Sequence, residues 1–440
     1  MKYLVIGGGA REHAAVEALA RAGAEIYCVM SNHNPGIAAK CVDFKLFKET
    51  DIDPIIDYAI SNGIEYVFVG PEAPLGAGLV NAFLDVGIRC ASPTAEAARI
   101  ETSKTFMREL VEKHGIPGNL RYASFDDATS AIEYVKNVSY AVAVKPVGLT
   151  GGKGVKVQGD QLKNLEETIE YINEIFDSGM GGGKVIIEEK AEGEEFTQMV
   201  FTNGTDIYPM PLVQDHKRAY EGDLGPNTGG MGSYSDANHL LPFVTEEDRA
   251  KAIDIVQKII LALKEEGCPY HGPMYGQFML TKDGPKIIEI NARFGDPEAM
   301  NVLTVLRTPF DEIVRWMAGG FRFKGDIEFA PKATVCKYVV PRGYGVKSEP
   351  GHTISVDVDA VNNAGAALYY GSVTMDGDKL VTGTSRAIGV VGVGDSISAA
   401  EKNCENALTH IKCDAIAVRH DIGTAALIQK RIDHMKAIRG

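Results

Sequence analysis

The chain has 440 residues, of which 45% are hydrophobic and 24% charged, and its formal net charge at pH 7 is −14. This length favours roughly two to four domains of a globular protein. The acidic balance disfavours a nucleic-acid partner, because binding a phosphate backbone needs a basic surface. No apolar run reaches the roughly 18 residues of a membrane span, so no membrane contact is expected.

The seven cysteines are scattered and include no C-x-x-C pair, which favours free thiols over a disulfide framework or a zinc site. The first ten residues, MKYLVIGGGA, are typical of a first strand broken by glycines rather than of a signal peptide. The expected location is therefore the cytoplasm.

Residues 1–100 alternate between strand and helix patterns. KYLVIGG predicts a strand, REHAAVEALARAG predicts a helix that ends at Gly23, and EIYCVM, YVFVG and GIRCA predict further strands. Alternation of this kind is typical of a parallel, doubly wound sheet. Ser92 and Pro93 then favour the start of a helical stretch, which Gly115 and Pro117 end.

The pattern changes after about residue 120. YAVAVKPV, KVIIEEK and FTQMVFTNGTDIYPMP predict strands between glycine-rich loops, as in an α+β body with antiparallel strands. From about residue 331, KATVCKYVVP, HTISVDV, AALYYGSVTMDG and AIGVVGVG predict strands and SISAAEKNCENALTHI predicts a helix. This last part is expected to be a mixed α+β domain.

The first strand runs into the turn Gly7-Gly8-Gly9, which a helix follows. Exposed amides and the helix dipole at such a turn favour a phosphate, and Arg11 is a plausible contact. A dinucleotide fingerprint fits poorly, because Glu12 occupies the third glycine position and no acidic residue ends the second strand. The alternative is a glycine turn selected only for tightness. Glu72 follows another strand of the same sheet and is expected at the same edge.

AVKPVGLTGGKGVKV, residues 143–157, places a glycine-rich loop between two strands. Its glycines can close over phosphates, and Lys145 and Lys153 add positive charge. It is not a P-loop, because Gly154 follows Lys153 where a Ser or Thr is needed. The segment predicts a lid over ATP phosphates, and a solvated hairpin is the alternative.

Two further segments are polar. KVIIEEKAEGEEF, residues 184–196, fits an adenosine clamp and a solvated acidic loop equally well. QDHKRAYEGDLGPNTGGMGSY, residues 214–234, carries Asp215, Lys217 and other groups that could bind an acid or a phosphate. His216 is more consistent with positioning than with metal binding, since no second histidine stands at ligand spacing.

The stretch IIEINARFGDPEA, residues 287–299, carries the most specific chemistry. Glu289 and Asn291 lie on one face of a strand, because side chains alternate with a period of two. Gln277 on the preceding strand could meet them across a hairpin, giving hard oxygen ligands of the kind Mg²⁺ shares with nucleotide phosphates. Arg293 and Asp296 follow, and they match the carboxylate and the ammonium of an amino acid.

These motifs resemble the ATP-grasp superfamily and, within it, the phosphoribosylamine–glycine ligase family. The resemblance rests on GGGAREHA, VGPEAPL, GLTGGKGV, QDHKR, GPNTGGMG and NARFGDPE, in order across residues 7–298, and more loosely on RHDIG at residues 419–423. Many family members have Asp where this chain has Val147, and many lack an equivalent of Gln277.

The resemblance implies a fold and a reaction. The fold is an N-terminal Rossmann-like parallel sheet (residues 1–101), a central ATP-grasp domain (102–330, with a lid at about 120–192) and a C-terminal mixed α+β domain (331–440). The reaction joins glycine to 5-phosphoribosylamine, with ATP as substrate and Mg²⁺ or Mn²⁺ as cofactor, in a monomer or weak dimer.

The resemblance also implies site residues. The phosphoribosylamine site would comprise Gly8, Gly9, Arg11, Glu12, His13 and Glu72. ATP would be held by Lys104, Lys145, Gly151, Gly152, Lys153, Gly154, Glu188, Ala191 and Glu195. The metal would be bound by Gln277, Glu289 and Asn291. Glycine and its acyl phosphate would lie among Asp215, Lys217, Arg293, Asp296 and Pro297, with Arg293, Asp215 and Lys217 catalytic.

Three alternatives remain open at this point. One is another ATP-grasp enzyme that makes a different acyl phosphate, which QDHKR and NARFGDPE disfavour. The second is a nucleotide-sensing module without catalysis, which the full set of lid lysines and metal oxygens disfavours. The third is a nicotinamide oxidoreductase, which the incomplete fingerprint disfavours.

Overall fold

The computed structural model describes residues 1–148, 154–323 and 325–440. In these residues the N-terminal unit is a parallel sheet of five strands in the order β3-β2-β1-β4-β5. Its strands are β1 (Lys2–Ile6), β2 (Glu25–Met30), β3 (Asp43–Leu46), β4 (Tyr66–Val69) and β5 (Arg89–Cys90). Its helices are α1 (Ala10–Arg21), α2 (Pro35–Ala38), α3 (Ile52–Asn62), α4 (Glu72–Gly76), α5 (Leu79–Asp85) and α6 (Ala95–Thr102).

The strand order reverses between β1 and β4, which are hydrogen-bonded neighbours. Ligands bind open α/β sheets at the carboxyl ends of the strands beside such a reversal. Every residue of β4 is buried, as expected for a central parallel strand. The turn after β1 and the segment after β4 therefore meet at one edge of the sheet.

A small antiparallel sheet at the position of the predicted lid follows α7 (Lys104–Lys113). Its order is β6-β9-β7-β8, and it has an apolar core of its own. The elements are β6 (Tyr122–Phe125), α8 (Ala128–Asn137), β7 (Val142–Pro146), β8 (Lys156–Val157), α9 (Leu165–Ser178), a 3₁₀ turn (Met180–Gly182) and β9 (Val185–Glu189).

The body of the central unit is the antiparallel sheet β11-β10-β16-β17, against which α10 and α12 pack. Its elements are β10 (Glu194–Asn203), β11 (Ile207–Pro209), α10 (Glu246–Glu265), β16 (His271–Thr281), β17 (Gly284–Asn291), α11 (Glu298–Val305) and α12 (Phe310–Met317). Between β11 and α10 lie β12 (Gln214–Asp215), β13 (Arg218–Tyr220), a 3₁₀ turn (Glu221–Asp223), β14 (Leu224–Asn227) and β15 (Gly232–Ser235).

The C-terminal sheet has the order β12-β15-β18-β23-β20, with β25 paired to β18. It therefore takes two strands, β12 and β15, from the middle of the chain. The remaining elements are β18 (Ala333–Pro341), β19 (Ser355–Val356), α13 (Val358–Asn363), β20 (Ala366–Tyr370), β21 (Val373–Asp376), β22 (Lys379–Thr382), β23 (Ile388–Gly394), α14 (Ile397–Leu408), β24 (Ile411–Lys412), β25 (Ile416–Ala417) and α15 (Ala425–Arg439).

The predicted fold class is confirmed, with one local exception. HTISVDV was expected to form a strand, but only Ser355–Val356 form one, paired with β24, and Thr353 makes an isolated bridge to Val381. The side chain of Asp357 accepts a hydrogen bond from the amide of Ala360 and begins α13 instead. All seven cysteines are free thiols, and five are buried. No helix in the described part of the chain has the length and apolar character of a membrane span.

Candidate active site

A cleft of about 1660 Å³ is lined by residues of the N-terminal, central and C-terminal units. The predicted site residues in its lining are Arg11, Glu72, Lys104, Lys145, Glu188, Ala191, Glu195, Asp215, Lys217, Glu289, Asn291, Arg293 and Asp296. The described residues Gly8, Gly9, Glu12, His13, Gly154, Gln277 and Pro297 are outside the lining. Gly151, Gly152 and Lys153 fall outside the described residues.

The β16–β17 hairpin brings the predicted metal-binding residues together. Gln277 lies directly opposite Glu289, and a bulge next to this pair adds one residue to β17. The amide of Asn291 donates to Glu289 Oε1 at 3.1 Å, so the two side chains lie on the same side of their strand. This pair of oxygen-bearing groups faces the cleft.

The charge around Glu289 favours its ionised form. Burial alone would raise the pKa of this carboxyl group, but the ammonium groups of Lys217 and Lys145 outweigh burial and lower the pKa. A carboxylate held ionised near neutral pH can bind a divalent cation.

Gln277 is fully buried below this pair. Its amide oxygen accepts from Lys217 Nζ at 2.8 Å and from the hydroxyl of Tyr275 at 3.1 Å, and its amide nitrogen donates to Glu195. Lys217 also lies 3.2 Å from Glu195 Oε2. Gln277 therefore joins Lys217 and Glu195, which line the cleft, into one network from a position behind the lining.

Lys145 belongs to a buried ionic triad that the sequence did not reveal. Glu188 accepts two bonds from Arg108, at 2.9 and 3.0 Å, and lies 2.6 Å from Lys145 Nζ. Burial would raise the pKa of Glu188, but Arg108 and Lys145 lower it to about 2. Both carboxylate oxygens are engaged, so this side chain orients Lys145, and Ala191 beyond it supplies backbone to the cleft.

Lys104 stands at the start of α7, where the side chain of Ser103 caps the helix by accepting from the amide of Phe106. Its ammonium donates to the backbone oxygen of Gly148 at 3.1 Å, at the beginning of the predicted lid loop. Burial lowers the pKa of Lys104. Both Lys104 and Lys145 line the cleft.

Arg293 is held between two acidic residues of the N-terminal part. It lies 2.9 Å from Glu101 and 3.4 Å from Glu72. Glu101 also accepts from the amide of Ala292 at 2.7 Å, and burial raises its pKa to about 7. Burial would raise the pKa of Glu72, but Arg293 and Arg11 lower it to about 2. Glu101 is one of the residues that the sequence did not indicate, because it has the appearance of an ordinary helical glutamate.

Asp296 is held by two residues of the C-terminal unit, neither of which the sequence indicated. Arg386 contacts its carboxylate at 3.1 Å and its backbone oxygen at 2.6 Å, and the Tyr338 hydroxyl donates to the carboxylate. Arg386 also donates to the backbone oxygen of Gly229 at 2.7 Å. One guanidinium thus fixes Asp296 and the glycine-rich segment against each other.

Asp215 and Glu298 form an acidic wall beside Lys217. Burial raises the pKa of Asp215 to about 8, and the nearby carboxylate of Glu298 adds to this effect. Burial also raises the pKa of Glu298, whose oxygen accepts from the hydroxyl of Tyr275 at 2.9 Å. Among the described residues, no group of three or more His, Cys, Asp or Glu side chains is arranged to hold a metal ion.

Of the predicted site residues that follow the turn after β1, two contact other parts of the protein and one faces the cleft. Glu12 accepts from the amide of Gly9 at 2.9 Å and lies 2.6 Å from Arg11 Nε, packed so closely that a Cβ at Gly70 would overlap it. His13 accepts at Nδ1 from the amide of Tyr370 at 2.9 Å, and burial lowers its pKa. Glu12 and His13 thus contact protein groups, and Arg11 faces the cleft.

Three family profiles match consecutive parts of the chain. They are described as phosphoribosylglycinamide synthetase N domain (residues 1–101), ATP-grasp (A) domain (102–299) and C domain (334–425). The phosphoribosylamine–glycine ligase of Methanobrevibacter smithii is 48% identical over 439 residues, covering 100% of both chains. That of Methanocaldococcus jannaschii is 49% identical over 444 residues, again covering 100% of both.

Solved structures agree. The phosphoribosylamine–glycine ligase of Thermotoga maritima matches with a TM-score of 0.80 and 26% identity, covering 96% of this chain and 100% of that one. A biotin carboxylase from Campylobacter jejuni matches with a TM-score of 0.74 and 14% identity, covering 98% and 96%. The second likeness is one of fold alone.

Proposed function

Because the chain belongs to the phosphoribosylamine–glycine ligase family and has glycinamide ribonucleotide synthetase activity in purine biosynthesis, we propose that its chemistry takes place in the cleft around Glu289. In this proposal ATP lies between the lid and the central sheet. Glycine lies at Arg293 and Asp296, and phosphoribosylamine lies at the edge of the N-terminal sheet.

The observation that carries the proposal is the grouping of opposite charges at one point of the cleft. Glu289 and Asn291 form a hydrogen-bonded pair. The ammonium groups of Lys217 and Lys145 keep Glu289 ionised. Arg293 lies two residues after Asn291 in the chain. A cation and a triphosphate beside an amino-acid site need this combination of charges.

The residues present fit Mg²⁺ or Mn²⁺. Glu289 and Asn291 supply hard oxygens on one side of a strand, and we propose that they hold the ion. The oxygen of Gln277 already accepts from Lys217 and Tyr275, so binding by Gln277 requires an exchange of those bonds. When bound, the ion supplies charge neutralisation for the transferring phosphoryl group.

We propose that one carboxylate oxygen of glycine attacks the γ-phosphorus of ATP. A new P–O bond forms to the glycine carboxylate, and the bond between the γ-phosphorus and the β-phosphate oxygen breaks. ADP is the leaving group, and glycyl phosphate is the intermediate that remains. The amine of phosphoribosylamine then attacks the acyl carbon, the C–O bond to phosphate breaks, and the amine proton passes to the departing phosphate. The chain needs no covalent nucleophile, because ATP activates the acid.

The side chains then have assigned roles. Lys145, which is buried, and Lys217, which is partly exposed, neutralise charge on the phosphoryl group. Arg293 binds the glycine carboxylate and Asp296 receives its ammonium, each held in place by protein partners from a neighbouring unit. Asp215 lines the cleft together with these residues.

Phosphoribosylamine is assigned to the edge where β1 and β4 end. The backbone amide of Gly8 precedes the amino end of α1, which favours a phosphate, whereas the Gly9 amide already donates to Glu12. Arg11 and Glu72 line the cleft beside this turn. The amine of phosphoribosylamine would then lie toward Arg293, which contacts Glu72 directly.

ATP is assigned to Lys104, Lys145 and the lid for its phosphates, to backbone near Ala191 for adenine, and to Glu195 for the ribose hydroxyls. The lid loop, including Gly151, Gly152, Lys153 and Gly154, is proposed to exclude water from the acyl phosphate. We propose further that the enzyme works in the cytoplasm as a monomer or weak dimer.

The test is ADP release that depends on both glycine and phosphoribosylamine. Glu289→Ala and Arg293→Ala are expected to abolish it, and Lys282→Ala in the exposed hairpin loop serves as the matched control. Full activity in either of the first two variants would contradict the site assignments.

A further inference from the structure

The last helix, α15 (Ala425–Arg439), lies outside most of the region that the family profiles match. The C-domain profile ends at residue 425, the first residue of this helix. Nevertheless Lys430, Arg431 and His434 line the cleft. A segment that a family profile does not describe thus forms part of the active-site wall.

The side chains of α15 hold two acidic residues of the central unit. Arg431 lies 2.6 Å from Asp223 Oδ2 and 3.4 Å from Glu194 Oε2. His434 Nδ1 lies 2.6 Å from the other oxygen of Glu194. Glu194 is buried, and each of its oxygens meets a side chain of the same helix, of which Arg431 is largely buried and His434 is partly exposed.

Glu194 and Glu195 begin β10, where successive side chains point to opposite sides. Glu194 is bound by α15, and Glu195 is bound on the other side by Lys217 and Gln277. Gly193 comes so close to the backbone of Leu280 that a Cβ there would overlap it. The start of β10 is therefore fixed from three directions.

Among the described residues, the cleft near α15 also contains buried polar atoms without a hydrogen-bond partner. Both ring nitrogens of His216 are buried without a hydrogen-bond partner in the part of the chain that the structure describes. This residue lines the cleft. Buried polar atoms of this kind normally bind water or a ligand group, so this end of the cleft suits a polar ligand.

Anchoring the helix does not require Arg431 or His434. Arg439 donates two bonds to Asp248 at 2.8 and 2.9 Å, at the start of α10 and outside the cleft lining. The Arg439–Asp248 pair would be enough to attach α15 to α10 if the helix had only a structural role. The second set of contacts, inside the cleft, therefore calls for its own explanation.

We propose that Arg431 and His434 are positioning residues for ATP, which act through Glu194 to present Glu195 to the ribose hydroxyls. This inference rests on the proposed assignment of Glu195 to the nucleotide. It predicts that α15 determines the KM for ATP and leaves glycine binding unaffected.

The experiment measures ADP release in the full-length enzyme carrying Arg431→Met, with Arg439→Met as the matched control on the same helix. Arg431→Met is expected to raise the KM for ATP about tenfold, with kcat and the KM for glycine changed less than about twofold. Arg439→Met is expected to leave all three constants near the wild-type values. Glu194→Gln approaches the same contact from the opposite partner and is expected to match Arg431→Met, which keeps the test valid should the latter fail to fold.

Equal effects of the two arginine variants on the KM for ATP would overturn the inference, because they would show a general clamp. The inference would also be overturned if Glu195→Gln raised the KM for ATP while Arg431→Met and Glu194→Gln left it unchanged. In that case the assignment of Glu195 to the nucleotide would stand. An unchanged KM in Glu195→Gln would instead overturn the ribose assignment, and the inference with it.

Discussion

Glu188→Gln tests whether the buried triad stabilises the enzyme through charge. Glu188 and Arg108 are fully buried, and the carboxylate meets Arg108 and Lys145 at 2.6 to 3.0 Å. Its pKa is lowered from 4.5 to about 2. At about 1.4 kcal/mol per unit, this depression corresponds to about 3 kcal/mol. Breaking a buried pair by removing one partner costs about 3–5 kcal/mol, so the two values agree.

The loss must depend on pH in a definite direction. A carboxyl group whose pKa is depressed on folding stabilises the folded state above its unfolded pKa, near 4.5, and that stabilisation is lost as pH falls through the folded pKa of about 2. The stability difference between wild type and Glu188→Gln should therefore be about 3 kcal/mol at pH 7. It should shrink by about 1–2 kcal/mol by pH ~3.5.

The assay is urea unfolding followed by the fluorescence of Trp316, the single tryptophan, in the central unit. Glu189→Gln is the matched control, because that neighbouring carboxylate pairs at 3.5 Å with the exposed Arg121. Its expected effect is about 0–1 kcal/mol. A loss below about 1 kcal/mol in Glu188→Gln, or a loss that stays constant with pH, would refute the charge argument.

Three further predictions follow from the packing and the charges. Gly70→Ala should destabilise the fold by about 1–3 kcal/mol, because the added Cβ would overlap the Glu12 carboxylate. In the control Gly76→Ala, the added Cβ meets only the Thr102 methyl group at 3.3 Å, which a small shift relieves, so a smaller loss is expected. Thermal unfolding distinguishes the two variants, and equal effects would contradict the packing argument. Arg386→Met should raise the KM for glycine about tenfold, because Asp296 loses the guanidinium that fixes its position, and an unchanged KM would show that Arg386 does not position Asp296 for glycine. Chelation should abolish ADP release and added Mg²⁺ or Mn²⁺ should restore it, so full turnover in chelator would exclude the metal assignment.

The sequence predicted the site where local pattern alone decides position. The period of two along β17 put Glu289 and Asn291 on one side, and the short hairpin put Gln277 opposite Glu289. Buried apolar strands such as YVFV likewise predicted the N-terminal sheet. In these cases the determinant lies within a few residues of the side chain concerned.

The partners of those residues could not be predicted in this way. Arg108, Glu101 and Arg386 act through contacts with residues far away in the chain, for example 80 positions between Arg108 and Glu188. Each appears in the sequence as an ordinary charged residue of a helix or loop. The contribution of α15 was also missed, because only the folded chain brings Arg431 next to Glu194.

The most direct test of the central claim is the position of Mn²⁺, located by its anomalous scattering in crystals containing a non-hydrolysable ATP analogue and glycine. The account predicts one ion within about 2.2 Å of oxygens of both Glu289 and Asn291 and of the analogue's phosphates, with glycine beside Arg293. An ion bound to neither side chain, or a nucleotide lying away from Lys145, would contradict it.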